Sequence, residues 1–233
     1  MWPFTKKYSI VNSGLLQGAT DWHSHILPDV DDGIRSMKEA LAVLARYEEL
    51  GFREVWLTPH IMEDIPNTTV HLRERFAELR EAYKGGIQLH LAAENMLDTL
   101  FEERLEADDL LPIGSKADHL LVETSYFNPP LDLYGLLEKI ISKGLRPILA
   151  HPERYTYMTT ADYRRLKEKG VLFQMNMASL VGAYGGEPRQ KVGMLLSEHW
   201  INYLGSDIHR LLSFNRAIEA KVLDKRTLQL FTF

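Results

Sequence analysis

A single α/β domain, built as a closed barrel of parallel strands, is what this 233-residue chain predicts. Short apolar strand-like runs alternate with helical periodicity from about Gly18 to the C-terminus, the pattern of repeated βα units. The length suits one βα barrel. Most of the runs also end on a residue that binds metals: Asp21-Trp22-His23-Ser24-His25, Thr58-Pro59-His60, Ala93-Glu94, His151-Pro152-Glu153-Arg154 and Ser206-Asp207-Ile208-His209. In βα barrels the chemistry sits at those C-terminal strand ends.

The elements follow in order. Residues 1–18 form an arm with Trp2 and Phe4, suited to assembly or to packing on the barrel, and residues 19–233 form the barrel domain. A first strand covers 20–23. Ser36-Met37-Lys38-Glu39 is a capping box, and Met37, Leu41 and Leu44 follow at helical spacing until Gly51 closes the helix. Val55 to Thr58 reads as a strand delivering His60. Leu72, Phe76, Leu79 and Tyr83 make the next helical stripe, and Gly85-Gly86 hands over to a strand at 87–91 that leads to Glu94. A strand at His119 to Val122 ends on Glu123. The helix with Leu133, Leu136, Leu137, Ile140 and Ile141 stops at Gly144, and Pro147 to Ala150 delivers His151. A helix from Thr160 to Gly170 leads to Val171 to Met175 and Asn176. The last unit is a helix over Val192 to Glu198 with a strand at 201–204 reaching Asp207. Together these make about seven strands. Loops at Tyr126 to Leu131 and Ala178 to Gln190 flank the mouth.

Composition narrows the function. With 45% hydrophobic and 25% charged residues the chain packs a core. A net charge of −5 without a basic block offers no footprint for nucleic acid. The absence of cysteine removes disulfides, thiolate metal ligands and any cysteine nucleophile. No stretch approaches the roughly 20 apolar residues of a membrane span, and the N-terminus lacks a signal-peptide core. We therefore expect a cytoplasmic protein with no membrane insertion.

His23 and His25, two apart, share one face of a strand, and Asp207 and His209 repeat that spacing at the far end of the sheet. Closure of a barrel brings the pairs together. Glu94 and Glu123 end otherwise apolar strands, where an ionised carboxylate needs a metal or a basic partner. His60 and His151 stand beside proline at strand ends. Asp29, Asp31 and Asp32 crowd the loop after His25, and turn chemistry alone also explains them. His71, His90, His119 and His199 fall on helix faces or strand starts and are assigned to surface or packing. Imidazole and carboxylate donors without sulfur suit Mn, Fe or Zn. Arg154 fits a bidentate clamp for phosphate.

These residues resemble the polymerase and histidinol phosphatase (PHP) superfamily, and within it the bacterial capsule-associated protein-tyrosine phosphatases. His23 to Gly33 matches their opening His-Ser-His-Ile-Leu-Pro-x-x-Asp-Asp-Gly in order and spacing, and the other fragments fall in the family's order over roughly residues 20 to 220. The resemblance implies a distorted (β/α)₇ TIM-like barrel with three divalent metals, Mn favoured over Fe or Zn. It assigns one metal to His23, His25, Glu94 and Asp207, a second to Glu94, Glu123 and His151, and a third to Asp32, His60 and His209. It implies hydrolysis of phosphotyrosine on a protein, a bacterial tyrosine kinase of capsular or exopolysaccharide synthesis, by a hydroxide formed on the metals. Arg154 would hold the phosphoryl group with Arg210 or Arg216, and Asp207, His209 or a bound water would protonate the leaving oxygen. Two alternatives stand beside it: a phosphatase for a small monoester such as histidinol phosphate, and a non-catalytic metal-bound module that docks on a kinase.

Overall fold

The computed structural model describes residues 6–231; Trp2 and Phe4 lie outside them. The chain runs β1 (Thr20–Ser24), α1 (Met37–Leu50), β2 (Glu54–Leu57), β3 (His60–Ile61), α2 (Thr69–Ala82), β4 (Gln88–Leu91), β5 (Glu94–Met96), α3 (Thr99–Glu106) and β6 (His119–Glu123). It continues with α4 (Leu133–Ser142), β7 (Arg146–Ala150), α5 (Thr160–Glu168), β8 (Leu172–Asn176), α6 (Met177–Leu180), α7 (Gly186–Ser197), β9 (Tyr203–Gly205), α8 (Leu211–Glu219) and α9 (Lys225–Gln229).

All ladders between these strands are parallel, as expected of βα units. They form a three-stranded sheet, β1-β2-β4, and a six-stranded sheet, β3-β5-β6-β7-β8-β9. Two of the expected strands are split. Between β2 and β3 stands Pro59, which has no N–H for the ladder, although its carbonyl still accepts from Glu94 N at 3.1 Å. Between β4 and β5 the amide of Ala92 turns to Leu57 O and that of Ala93 to Leu111 O. The end of β9 returns to β1: Asp207 N donates to His23 O at 2.8 Å and His25 N to Ile208 O at 3.2 Å.

Helix α1 shows why the sequence was readable. Ser36 Oγ accepts from Glu39 N, Gly51 closes the helix at φ +86°, and Ala40, Val43, Leu44, Tyr47 and Leu50 bury one face. The expected capping box is not closed, because the Glu39 carboxylate reaches past Ser36 to accept from Arg35 N. The last expected helix is longer than Val192 to Glu198, starting at Gly186, and the expected 178–190 loop contains most of α6 and the start of α7. Helices α3, α8 and α9 add to the expected order; Asp98 caps α3 by accepting from Phe101 N.

Along β6 the side chains alternate. Leu120 and Val122 join the main core with Leu137 and Ile140 of α4, while Leu121 joins an inner cluster with Trp56, Ile148 and Leu172. Glu123, two residues beyond Leu121, therefore faces inward at the strand end. Residues of the N-terminal arm also enter the main core: Ile10 and Leu16 are buried, and Tyr8 bridges Leu223.

Candidate metal centre

Strand β1 carries an irregularity between Asp21 and Ser24, and it aims two neighbours in one direction. Trp22 packs on the inner cluster while Asp21 reaches Tyr47 of α1, and above the bulge His23 points inward. His25 lies beyond the strand end rather than on its face, yet its Nε2 comes to 3.1 Å from His23 Nε2.

Around that pair the structure gathers all nine expected donors. Ligand atoms lie within 4.8 Å of one another in four overlapping groups: His25, Asp32, His60 and His209; His23, His25 and Asp207; His23, Glu94 and His151; His60, Glu94 and Glu123. Glu94 is the shared carboxylate. Its Oε2 stands 3.1 Å from His23 Nε2, 3.3 Å from His25 Nε2 and 3.1 Å from His60 Nδ1, and its Oε1 is 3.0 Å from His151 Nε2. His60 presents Nδ1 to Glu94 and Glu123 and Nε2 to Asp32, so it borders two groups.

His151 Nε2 hydrogen-bonds Glu94 Oε1, but the contacts at Glu94 Oε2 are close and badly aimed for hydrogen bonding. Glu94 Oε2, Glu123 Oε1 and His60 Nδ1 are buried without a hydrogen-bond partner, which is costly unless another positive group completes the set. Several lone pairs converging on common points is the geometry of metal ligands, and the donors present fit divalent ions of the Mn, Fe and Zn type.

The surrounding residues fix the imidazoles. His23 Nδ1 donates to Gln174 Oε1 at 2.7 Å, His25 Nδ1 to Asp31 Oδ2 at 2.8 Å and His209 Nδ1 to Asp207 O at 3.0 Å, so each keeps Nε2 for the centre. Asp31 also accepts from the amides of Gly33 and His60. A Cβ at Gly33 would collide with His25 O and Cβ, so only glycine lets the loop close this tightly. His151 and Asp207 leave their strands at φ +33° and +51°, strained values for non-glycine residues that turn both side chains toward the centre.

The electrostatics match the geometry. Burial works against charge on His23, but Glu94 and Asp207 outweigh it and raise the imidazole to about 9. Burial likewise opposes the charge of Glu94 and Asp207, and the imidazoles around them still hold both well below the usual carboxylate range. Asp32, at the open rim, is lowered to about 2, first by its hydrogen bond to His209. The cluster demands positive charge.

Of the three expected arginines only two reach the cavity beside the centre. Arg154 donates to Asp207 Oδ2 at 3.0 Å and lies between two aromatic rings, 4.1 Å from the centroid of Tyr126 and 4.2 Å from that of Tyr184. Arg210 lines the rim and bonds backbone carbonyls of Asp32 and His209. Arg216 is exposed on α8 and does not line the cavity. Gln174, Asn176, Tyr126 and Tyr184 have no motif to announce them; Asn176 Nδ2 donates to Asp207 at 2.6 Å. His90 and His119 pack on Trp56 and Tyr203, as expected of packing residues. No helix among the described residues is long and apolar enough to cross a membrane.

The family model for capsular polysaccharide synthesis, CpsB/CapC, matches residues 19–223. The chain belongs to the CpsB/CapC family. Among curated relatives, the tyrosine-protein phosphatase CpsB of Streptococcus pneumoniae is 28% identical over 204 residues, covering 82% of this chain and 83% of CpsB. The tyrosine-protein phosphatase YwqE of Bacillus subtilis is 27% identical over 201 residues, covering 84% of this chain and 79% of YwqE. A crystal structure from work on YwqE and CpsB, described as metal-dependent tyrosine phosphatases, superposes with a TM-score of 0.78 at 24% identity, over 84% of this chain and 81% of that one. This CpsB/CapC chain shares their α/β fold.

Proposed function

We propose that the chain is a metal-dependent phosphatase that hydrolyses phosphotyrosine on a protein, a bacterial tyrosine kinase of capsular or exopolysaccharide synthesis. One observation carries the reading: nine imidazole and carboxylate donors, several with buried orphan atoms, converge at a cavity that also holds Arg154. The tyrosine-phosphatase relatives supply the substrate. Three divalent ions, Mn by preference, would be held by His23, His25, Glu94 and Asp207, by Glu94, Glu123 and His151, and by Asp32, His60 and His209. When bound they supply a water acidified toward neutrality and neutralise phosphoryl charge. Counting β2 with β3 and β4 with β5 as single split strands, and β9 as closing on β1, we read the scaffold as a distorted (β/α)₇ barrel in one domain, residues 19–233, with residues 6–18 of the 1–18 arm packed on it.

The chain's own residues do the rest. Arg154, its guanidinium flattened between Tyr126 and Tyr184, presents its fork to phosphoryl oxygens. Asp207 accepts from both Arg154 and Asn176 and stays ionised, so it holds and orients rather than protonating the leaving group. That leaves the proton to His209 or to water.

Phosphate release from a phosphotyrosyl peptide, a phosphoseryl peptide and histidinol phosphate, with Mn added, tests the function. Release fastest from the phosphotyrosyl peptide is expected; faster release from histidinol phosphate would move the substrate to small monoesters, and none from any would remove the enzyme. Arg154→Ala should lower kcat/KM about a hundredfold while metal content stays that of the wild type. Lost metal would show that Arg154 supports the ligands through Asp207 instead.

A further inference from the structure

The cavity at the metal centre is larger than a phosphoryl group needs, about 640 Å³, and its lining is of two kinds. One kind is the polar set Asp32, His60, Asp207 and His209 with Arg154. The other is the apolar set Met177, Ala178, Ala183, Phe214, Ala217 and Ile218, with the Tyr184 and Ser213 hydroxyls on the same segments. Its walls come from α6 and the loop after it and from α8, the segments that leave the ends of β8 and β9. Three of the six walls are alanines, and their short side chains leave the hollow open. Helices α6 and α8 pack against each other, which gathers these apolar side chains into one lobe.

We propose that this apolar lobe is the seat of the substrate's aromatic ring, and that Ala183, Ala217 and Phe214 make the site select phosphotyrosyl over phosphoseryl residues. The proposal rests on the phosphotyrosine reading of the same centre. With the phosphoryl group beside Arg154, a tyrosyl side chain puts a flat apolar ring between that group and the backbone, and an uncharged lobe takes such a ring at no cost in unpaired polar groups. A phosphoseryl residue has no ring to fill it. To bring its phosphoryl group equally deep it must carry its own peptide N–H and C=O groups toward walls that are mainly apolar, with only the Ser213 and Tyr184 hydroxyls as partners. The lobe selects by what it fails to hydrogen-bond as well as by what it covers.

The test uses two peptides of one flanking sequence, one phosphotyrosyl and one phosphoseryl, on the Mn-loaded protein. Ala183→Phe and Ala217→Phe fill the lobe from opposite walls, and metal content and thermal unfolding are measured beside activity. The phosphotyrosyl to phosphoseryl ratio of kcat/KM should fall about tenfold or more in either variant that keeps its metal, the scale of discrimination that a pocket wall supplies. An unchanged ratio in a metal-replete variant overturns the proposal. On the unaltered protein, phenylphosphonate should inhibit at least about tenfold more tightly than methylphosphonate; equal inhibition also overturns it. No release from either peptide by the wild type would instead overturn the phosphatase reading.

Discussion

Glu94→Gln should leave the chain folded, strip most of its metal and lower phosphate release from a phosphotyrosyl peptide by on the order of a thousandfold or more. Glu94 is fully buried and faces four imidazoles at 3.0 to 3.3 Å. Glutamine keeps the shape and removes the charge. Its NH₂ group would also turn donors toward a point where the neighbouring lone pairs already converge, so no ion can bridge there. Elemental analysis with far-UV circular dichroism checks the result. Full metal content in a folded, active Glu94→Gln protein would remove the shared carboxylate from the centre.

The second large effect is on stability. Asp21 stands outside the centre, buried, and ties β1 to β9 and α1: it accepts from Ser206 N at 2.8 Å, from the Tyr47 hydroxyl at 2.8 Å and from His23 N at 3.2 Å. Burial pushes its carboxyl up, with the hydrogen bonds from Ser206 and Tyr47 pulling back. Asp21→Ala leaves the Ser206 and His23 amides buried and unpaired, while the Tyr47 hydroxyl keeps Ser206 Oγ, a loss of about 3 kcal/mol, or roughly 6–12 °C in Tm for a chain of this size. Asp21→Asn keeps an acceptor and should lose less. Thermal unfolding of the metal-free proteins measures both; equal Tm values for Asp21→Ala and the wild type would mean that the strands are joined by their backbones alone.

The cluster of nine donors was legible because its information is local. His23-Ser24-His25, Pro59-His60 and Ser206-Asp207-Ile208-His209 each place donors at a strand end, and strand ends are readable from apolar runs. The fold class was legible for the same reason, since α1, α4 and α5 announce themselves by caps and stripes. What escaped is held by partners far apart in sequence. Gln174 fixes His23 across 151 residues, and the Tyr126 and Tyr184 rings meet around Arg154 from separate loops. No spacing rule records such meetings. The bulge in β1 and the break at Pro59 escaped because both are set by how neighbouring strands pair, and a regular period cannot show them. Arg216 illustrates the converse: near the motif in sequence, it faces away on α8.

If a cluster of divalent ions held by nine side chains makes this chain a phosphotyrosine phosphatase, phosphate release must follow bound metal. The most direct measurement strips the protein with chelator, counts the ions that return on titration with Mn, and follows phosphate release from a phosphotyrosyl peptide at each step. No release is expected from the stripped protein, and release should rise with bound metal to a plateau at three ions per chain. Undiminished release from protein shown to be metal-free would contradict it.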